Sequence, residues 1–143
     1  MSTHRVPSAE VSRFAGEDLA RWRAFSGAHV TARDARWGNG CVLDVLWEGR
    51  SDDPTPRGAI YLKVEYADGL SVRVNAAAFA QFHTSVEVSE ELDGFLEAWR
   101  AAEAGDEEAR RALAGFDREL RAAQDAARGA RAAALRERVR DRA

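Results

Sequence analysis

Apolar residues recur along this chain with three successive periods. Over residues 8–26, "SAEVSRFAGEDLARWRAFS", Val11, Phe14, Ala15, Leu19, Trp22 and Phe25 or Ser26 fall at helical spacing, which predicts an amphipathic helix with one core-facing stripe. Ser8 is placed to cap its start by accepting an unpaired backbone N–H. Gly16 weakens the middle, so the helix is expected to break there.

The centre of the chain alternates instead, with the period of two that belongs to strands. In "CVLDVLWE" Cys41, Leu43, Val45 and Trp47 share one face, and Val42, Asp44, Leu46 and Glu48 the other. In "AIYLKVEYADG" Ile60, Leu62, Val64 and Tyr66 face inward, while Ala59, Tyr61, Lys63 and Glu65 face out. "LSVRV" repeats the pattern with Leu70, Val72 and Val74 inside and Ser71 and Arg73 outside. Asp68-Gly69 between these runs favours a tight hairpin turn, and "AHVTA" at 28–32 reads as a further short strand. Four or five antiparallel strands follow, joined by short turns and one longer loop, "GRSDDPTPRG". A sheet that small with one apolar face buries its edges best by curling into a barrel.

Helical spacing then returns. "SEELDGFLEAWRAAEAG" places Leu92, Phe95, Leu96 and Trp99 on one face, with Ser89 as N-cap and Gly105 as stop. Asp106 is positioned to cap a second, long helix whose first turn holds Glu107 and Glu108, beside the positive end of the dipole. Its stripe of Ala109, Leu113, Phe116, Leu120, Ala123, Ala127, Ala130 and Ala134 follows heptad spacing. Alanine dominates from residue 121 onward. The first half is expected to pack, and the rest to fray or wait for a partner, a second copy of the chain included. Trp22, Trp47, Trp99, Phe95 and Phe116 all occupy core-facing positions.

Two glycines in "RWGNGCVLDV" raise the question of a phosphate loop. Such a loop follows a strand and opens a helix, whose first amides meet the anion. Here a strand follows, and neither GxGxxG nor GxxxxGK[ST] is completed. Gly38 and Gly40 read instead as turn residues, with Asn39 adopting a left-handed conformation between them.

Composition narrows the function classes. With 143 residues and 45% hydrophobic content, there is room for one compact domain with an appendage or two very small units. Apolar runs of 18 residues are absent, so no membrane helix is expected, and "MSTHRVPSAE" lacks the apolar core of a secretory signal. The lone Cys41 fits a reducing compartment, hence the cytoplasm. Lys63 is the only lysine; the arginine and alanine excess matches a bacterial genome rich in G and C. A net charge of -3 argues against a surface that coats nucleic acid throughout.

Candidate chemistry is thin. His4, His29 and His83 form no close-spaced pair, and a metal site wants two near ligands plus two more. His29 and Cys41 approach each other across a hairpin, which is two ligands and no site. Glu48, Asp52 and Asp53 make an acidic loop edge that reads as solvated rather than ion-binding. The expectation is no catalytic residue, no metal and no cofactor. More informative are the aromatics Trp37, in a turn, and Tyr61, on an outward strand face. Either the protein's own helices cover them, or they serve a partner surface with Arg36 and Arg73 beside them. The chain end carries Arg128, Arg131, Arg136, Arg138, Arg140 and Arg142 against Glu137 and Asp141. These arginines suit nucleic-acid phosphates, or equally a solvated helix end complementing its dipole. Residues 28–83 add no basic excess, with six basic and seven acidic side chains.

One family likeness remains. "HVTARDARWGNGCVLDV", "IYLKVEYADG" and "AAAFAQF" resemble the small Tudor-like (SH3-type) barrel at the C-terminus of UvrD/PcrA-type helicases, and the related barrel of CarD and transcription-repair coupling factors. The features are His29, Val30, Trp37, Gly38, Gly40, Val42, Leu62, Val64, Tyr66, Asp68 and Gly69. Trp37 stands where phenylalanine is more usual, and the Pro-rich loop 51–58 departs from the pattern. The resemblance implies a docking module for RNA polymerase or a DNA-repair protein, with no motor attached. The expected fold is therefore α+β. An SH3/Tudor-like barrel over 28–83 follows an N-terminal helical segment, 1–27, and precedes a helical region, 84–143, of two helices, the last one long. The expected function is a non-enzymatic protein-interaction adaptor; the alternative is nucleic-acid binding by the Arg-rich terminal helix.

Overall fold

A computed structural model describes residues 3–48 and 59–141. It is an α+β structure built on a single antiparallel sheet. Six strands are described: β1 Thr3–Pro7, β2 His29–Ala32, β3 Asn39–Glu48, β4 Ala59–Tyr66, β5 Ser71–Asn75 and β6 His83–Ser89, in the order β1-β6-β2-β3-β4-β5. The helices are α1 Ser8–Ala15, α2 Leu19–Arg23, α3 Phe79–Phe82, α4 Glu90–Glu103 and α5 Glu107–Asp141.

β4 is the strand whose alternation is cleanest: Ile60, Leu62, Val64 and Tyr66 are buried while Lys63 and Glu65 are exposed. The hairpin to β5 turns through Gly69 at φ 87, with the Gly69 N–H donating to the Tyr66 carbonyl. In β5, Val74 is buried and Val72 packs against the core. Leu70, expected inside, is 47% exposed because it belongs to the turn rather than to the strand.

β3 corrects the sequence reading most. Its pairing with β4 slips between Val42 and Asp44, so Leu43 is an extra residue in the ladder. A bulge of this kind reverses the parity of every later side chain. Gly40 and Val42 face inward before it and Val45 faces inward after it. The expected single face of Cys41, Leu43, Val45 and Trp47 is therefore split; the Trp47 side chain, expected in the core, lies outside the described residues. A second slip, at Thr84 of β6, turns His83 inward beside Val86 and Val88.

The sheet is open, not a closed barrel: β1 and β5 are its edges, and no β5–β6 pairing is described. It is nevertheless strongly curled. Three strand spacings separate β4 from β6, about 14 Å in a flat sheet, yet the Tyr66 hydroxyl lies 2.8 Å from His83 Nε2. The seam between β5 and β6 is occupied by the connecting 3-10 turn, Ala76–Ala78, and by α3, whose Phe79 is 1% exposed.

Two strands escape the hydrophobic pattern altogether. β1 offers only Val6 to the core, and β6 sets threonine, serine and glutamate around its two valines, Val86 and Val88. β1 lies before residues 28–83, and β6 starts at the last of them and runs on to Ser89. The N-terminal helical segment breaks at the expected place, giving two short helices in place of one. The break at Gly16, φ 50, divides it into α1 and α2, and Asp18 starts the second by accepting from the Ala20 and Arg21 N–H groups. Ser8 is the first helical residue of α1, fully buried, and Pro7 holds the cap position without a side-chain bond.

At the C-terminus the expected caps form. Ser89 accepts from the Leu92 N–H, and Asp106 from those of Glu108 and Ala109. Val11, Phe14, Trp22, Leu92, Phe95 and Leu96 meet the inner sheet face in one core. Trp99 and Phe116 pack at its edge. Phe95 and Phe116 cross edge to face at 4.1 Å. Arg21 fastens α5 to α2 with a bidentate pair to Asp117, 3.0 and 2.8 Å, and donates to the Phe14 carbonyl at 2.7 Å. Past Arg121, α5 runs on largely exposed to Asp141; Leu135 and Val139 are 62% and 65% exposed.

Candidate docking surface

Residues 33–38 form the loop between β2 and β3, and this loop is pinned down rather than free. The Arg33 N–H donates to the Phe82 carbonyl at 2.9 Å, and its Nε donates to the Ala80 carbonyl at 3.0 Å. The Asp34 carboxylate accepts from the Arg36 backbone N–H at 3.0 Å and from its guanidinium at 2.7 Å. That pairing holds the exposed Asp34 carboxyl down at about 2. The Trp37 N–H donates to the Asp34 carbonyl, and Gly38 at φ 69 returns the chain to the sheet. Asn39 has no positive φ; it is the first residue of β3.

So held, the Trp37 indole lies 5.1 Å from the Tyr66 ring and stacks on Phe82 at 6.3 Å with planes 21° apart. Trp37 is half-buried and Phe82 is 43% exposed. Below them the aromatic series continues inward through Tyr66, His83 and Phe79, with centroids 5.9 and 4.6 Å apart. The space is tight: a Cβ on Gly40 would stand 2.9 Å from Tyr66 Cδ1. Gly40 is thus a packing glycine rather than a turn glycine.

His83 is neutral by its partners. The Phe79 carbonyl can only accept, so Nδ1 carries the proton, 3.1 Å away, and the Tyr66 hydroxyl donates to Nε2. Burial, the leading cause, pushes the imidazole below its ordinary 6.5, and burial raises Tyr66. The unfolded chain therefore binds a proton that the folded chain resists. His83 contributes full stability above about 6.5, and that contribution is lost as pH falls below this value. Urea midpoints measured from pH 7 to 5 should fall in the native chain and fall less in His83→Gln. Equal slopes would contradict this protonation.

Tyr61 and Arg73 form a separate pair on the outer sheet face. The Arg73 guanidinium carbon sits 4.7 Å from the Tyr61 ring centre, beside Lys63, its cross-strand neighbour. Tyr61 is five residues from Tyr66 along β4, about 17 Å, and points to the other face. The four residues singled out in the sequence thus make two pairs at opposite ends of the sheet: Arg36 with Trp37, and Tyr61 with Arg73. Phe82 is the member that the sequence did not mark.

His29 and Cys41 are direct cross-strand partners, as expected. Among the described residues no group of three His, Cys, Asp or Glu is disposed to hold a metal. Of the acidic edge, Asp52 and Asp53 lie outside the described residues, as does the side chain of Glu48. Arg136, Arg138 and Arg140 are exposed on α5; the side chains of Arg128, Arg131 and Arg142 lie outside the described residues. No described helix is long and apolar enough to cross a membrane. Comparison of the chain with protein-family models, curated proteins and solved structures found no match.

Proposed function

We propose that this chain is a non-enzymatic adaptor that docks a protein partner on the aromatic rim formed by Trp37 and Phe82. The observation that carries the reading is a stacked, part-exposed aromatic pair, Trp37 on a pinned loop and Phe82 at the end of α3. Rigid, part-exposed aromatics of this kind supply the anchors of protein interfaces, since little entropy is lost when they are covered. Arg36, held by Asp34, provides an oriented polar neighbour. Within this proposal the curled unit β2–β6 is a Tudor-like, SH3-type module working in the cytoplasm, and its ligand is RNA polymerase or a DNA-repair protein. What supports that likeness is the pairing of β6 with β2 and the curl that brings Tyr66 of β4 to His83 of β6, within a sheet that stays open. Tyr61 and Arg73 form a second, smaller patch.

The test is capture from nuclease-treated lysate with the full chain. Trp37→Ala should weaken retention of a protein partner by about thirtyfold or more, the scale of an interface anchor, while Tyr61→Ala reduces it less. Retention unchanged by Trp37→Ala would refute the rim as the contact.

A second reading has its own observation, the exposed Arg136, Arg138 and Arg140 of α5. Phosphate binding there weakens steeply with salt and disappears on truncation after Ala127. Docking at the rim is unaffected by that truncation.

A further inference from the structure

We infer that α5 of one copy docks through its last two turns into an acid-rimmed groove on a second copy, a self-association independent of the Trp37 rim. The groove has a volume of about 480 Å³ and lies where the loop after α2 meets β6 and the first turn of α4. Its walls include Ala24, Ala28, Val88 and Leu92, and the acidic side chains Glu87 and Glu91 also line it. That size falls among clefts that take up side chains or small ligands, ~300–1,000 Å³. Among the described residues, His29 lines the groove itself, and Arg5 pairs with Glu87 at 3.7 Å on the surface. A surface pair of this kind is weak enough to exchange.

The end of α5 is complementary. Leu135 and Val139 are one turn apart and more than 60% exposed. At 100° per residue, Arg136 and Arg138 flank the two on either side, while Glu137 and Asp141 fall on the opposite face. The apolar pair is therefore bordered by arginine alone, and an apolar floor with a carboxylate rim fits it by both shape and charge. The docking is intermolecular because α5 is unbroken. Arg121 bonds to Asp18, and Leu135 lies about 21 Å further along the same helix. The contact joins two different surfaces, so it extends head to tail or closes as a ring.

Sedimentation velocity over a concentration series of the full, nucleic-acid-free chain tests this. The native chain should associate reversibly, and Leu135→Ser/Val139→Ser should weaken association about tenfold or more. Arg136→Glu/Arg138→Glu and Glu87→Arg/Glu91→Arg should each be monomeric alone and should associate when mixed. All these positions are on the surface, so folding is preserved. A native chain that stays monomeric overturns the inference. So does association that persists in the Glu87→Arg/Glu91→Arg chain, which would indicate direct pairing of two α5 helices. Neither result bears on the Trp37 rim.

Discussion

Trp22→Ala should cost about 3–5 kcal/mol of stability, the range for truncating a large buried aromatic. Trp22 is 1% exposed, lies 5.5 Å from Phe79 and 6.3 Å from Phe25, and donates from Nε1 to the Gly16 carbonyl at 2.8 Å. It thereby joins α2, the break after α1 and the α3 segment that occupies the sheet's seam. Its loss leaves a cavity under the curled sheet and strips the Gly16 carbonyl of its partner. Domains of this size hold ~5–15 kcal/mol in all, so the loss removes a large share of the total stability. Trp22→Phe keeps much of the ring packing and separates the hydrogen bond from the volume. Urea unfolding read by far-UV dichroism checks both; a loss under about 1 kcal/mol for Trp22→Ala would show that the seam does not depend on it.

Gly40→Ala should be destabilising by about 1–3 kcal/mol although it adds a single methyl group. The new Cβ meets Tyr66 Cδ1 at 2.9 Å and Val64 Cγ1 at 3.0 Å. Val64 is fully buried, and Tyr66 is tied to His83 on one side and packed by Trp37 on the other. The strain therefore passes to Trp37, and the expected signature is a shift in indole fluorescence together with weaker docking. A neutral effect on stability would mean that the β3–β4 spacing opens freely there, which the packing of Tyr66 opposes.

How far the sequence revealed this structure depended on local regularity. β4 was legible because its alternation runs unbroken from Ile60 to Tyr66. β3 was legible as a strand, but the extra residue at Leu43 reverses its faces, and nothing in "CVLDVLWE" marks a bulge. β1 and β6 were hidden for a different reason. A strand that offers one or two valines to the core among Thr, Ser and Glu has little periodicity to read, and its pairing is decided by partners far along the chain. The caps at Ser89 and Asp106 were legible because capping is a contact within three residues. At the rim, Trp37 stood out as an aromatic residue in a glycine turn, whereas Phe82 and His83 gained meaning only when α3 brought them against the loop. Tyr61 and Arg73, equally prominent in the sequence, turned out to lie on the far end of the sheet.

On the proposed function, a protein partner covers Trp37. The most direct measurement is a two-dimensional ¹H–¹⁵N spectrum of the full chain, titrated with the protein captured from nuclease-treated lysate. The Trp37 indole and the amides of residues 33–38 and Phe82 should shift or broaden, while the Trp22 indole, bonded to Gly16, stays in place. An unmoved Trp37 indole with shifts confined to Arg136–Arg140 would contradict it and move the contact to α5.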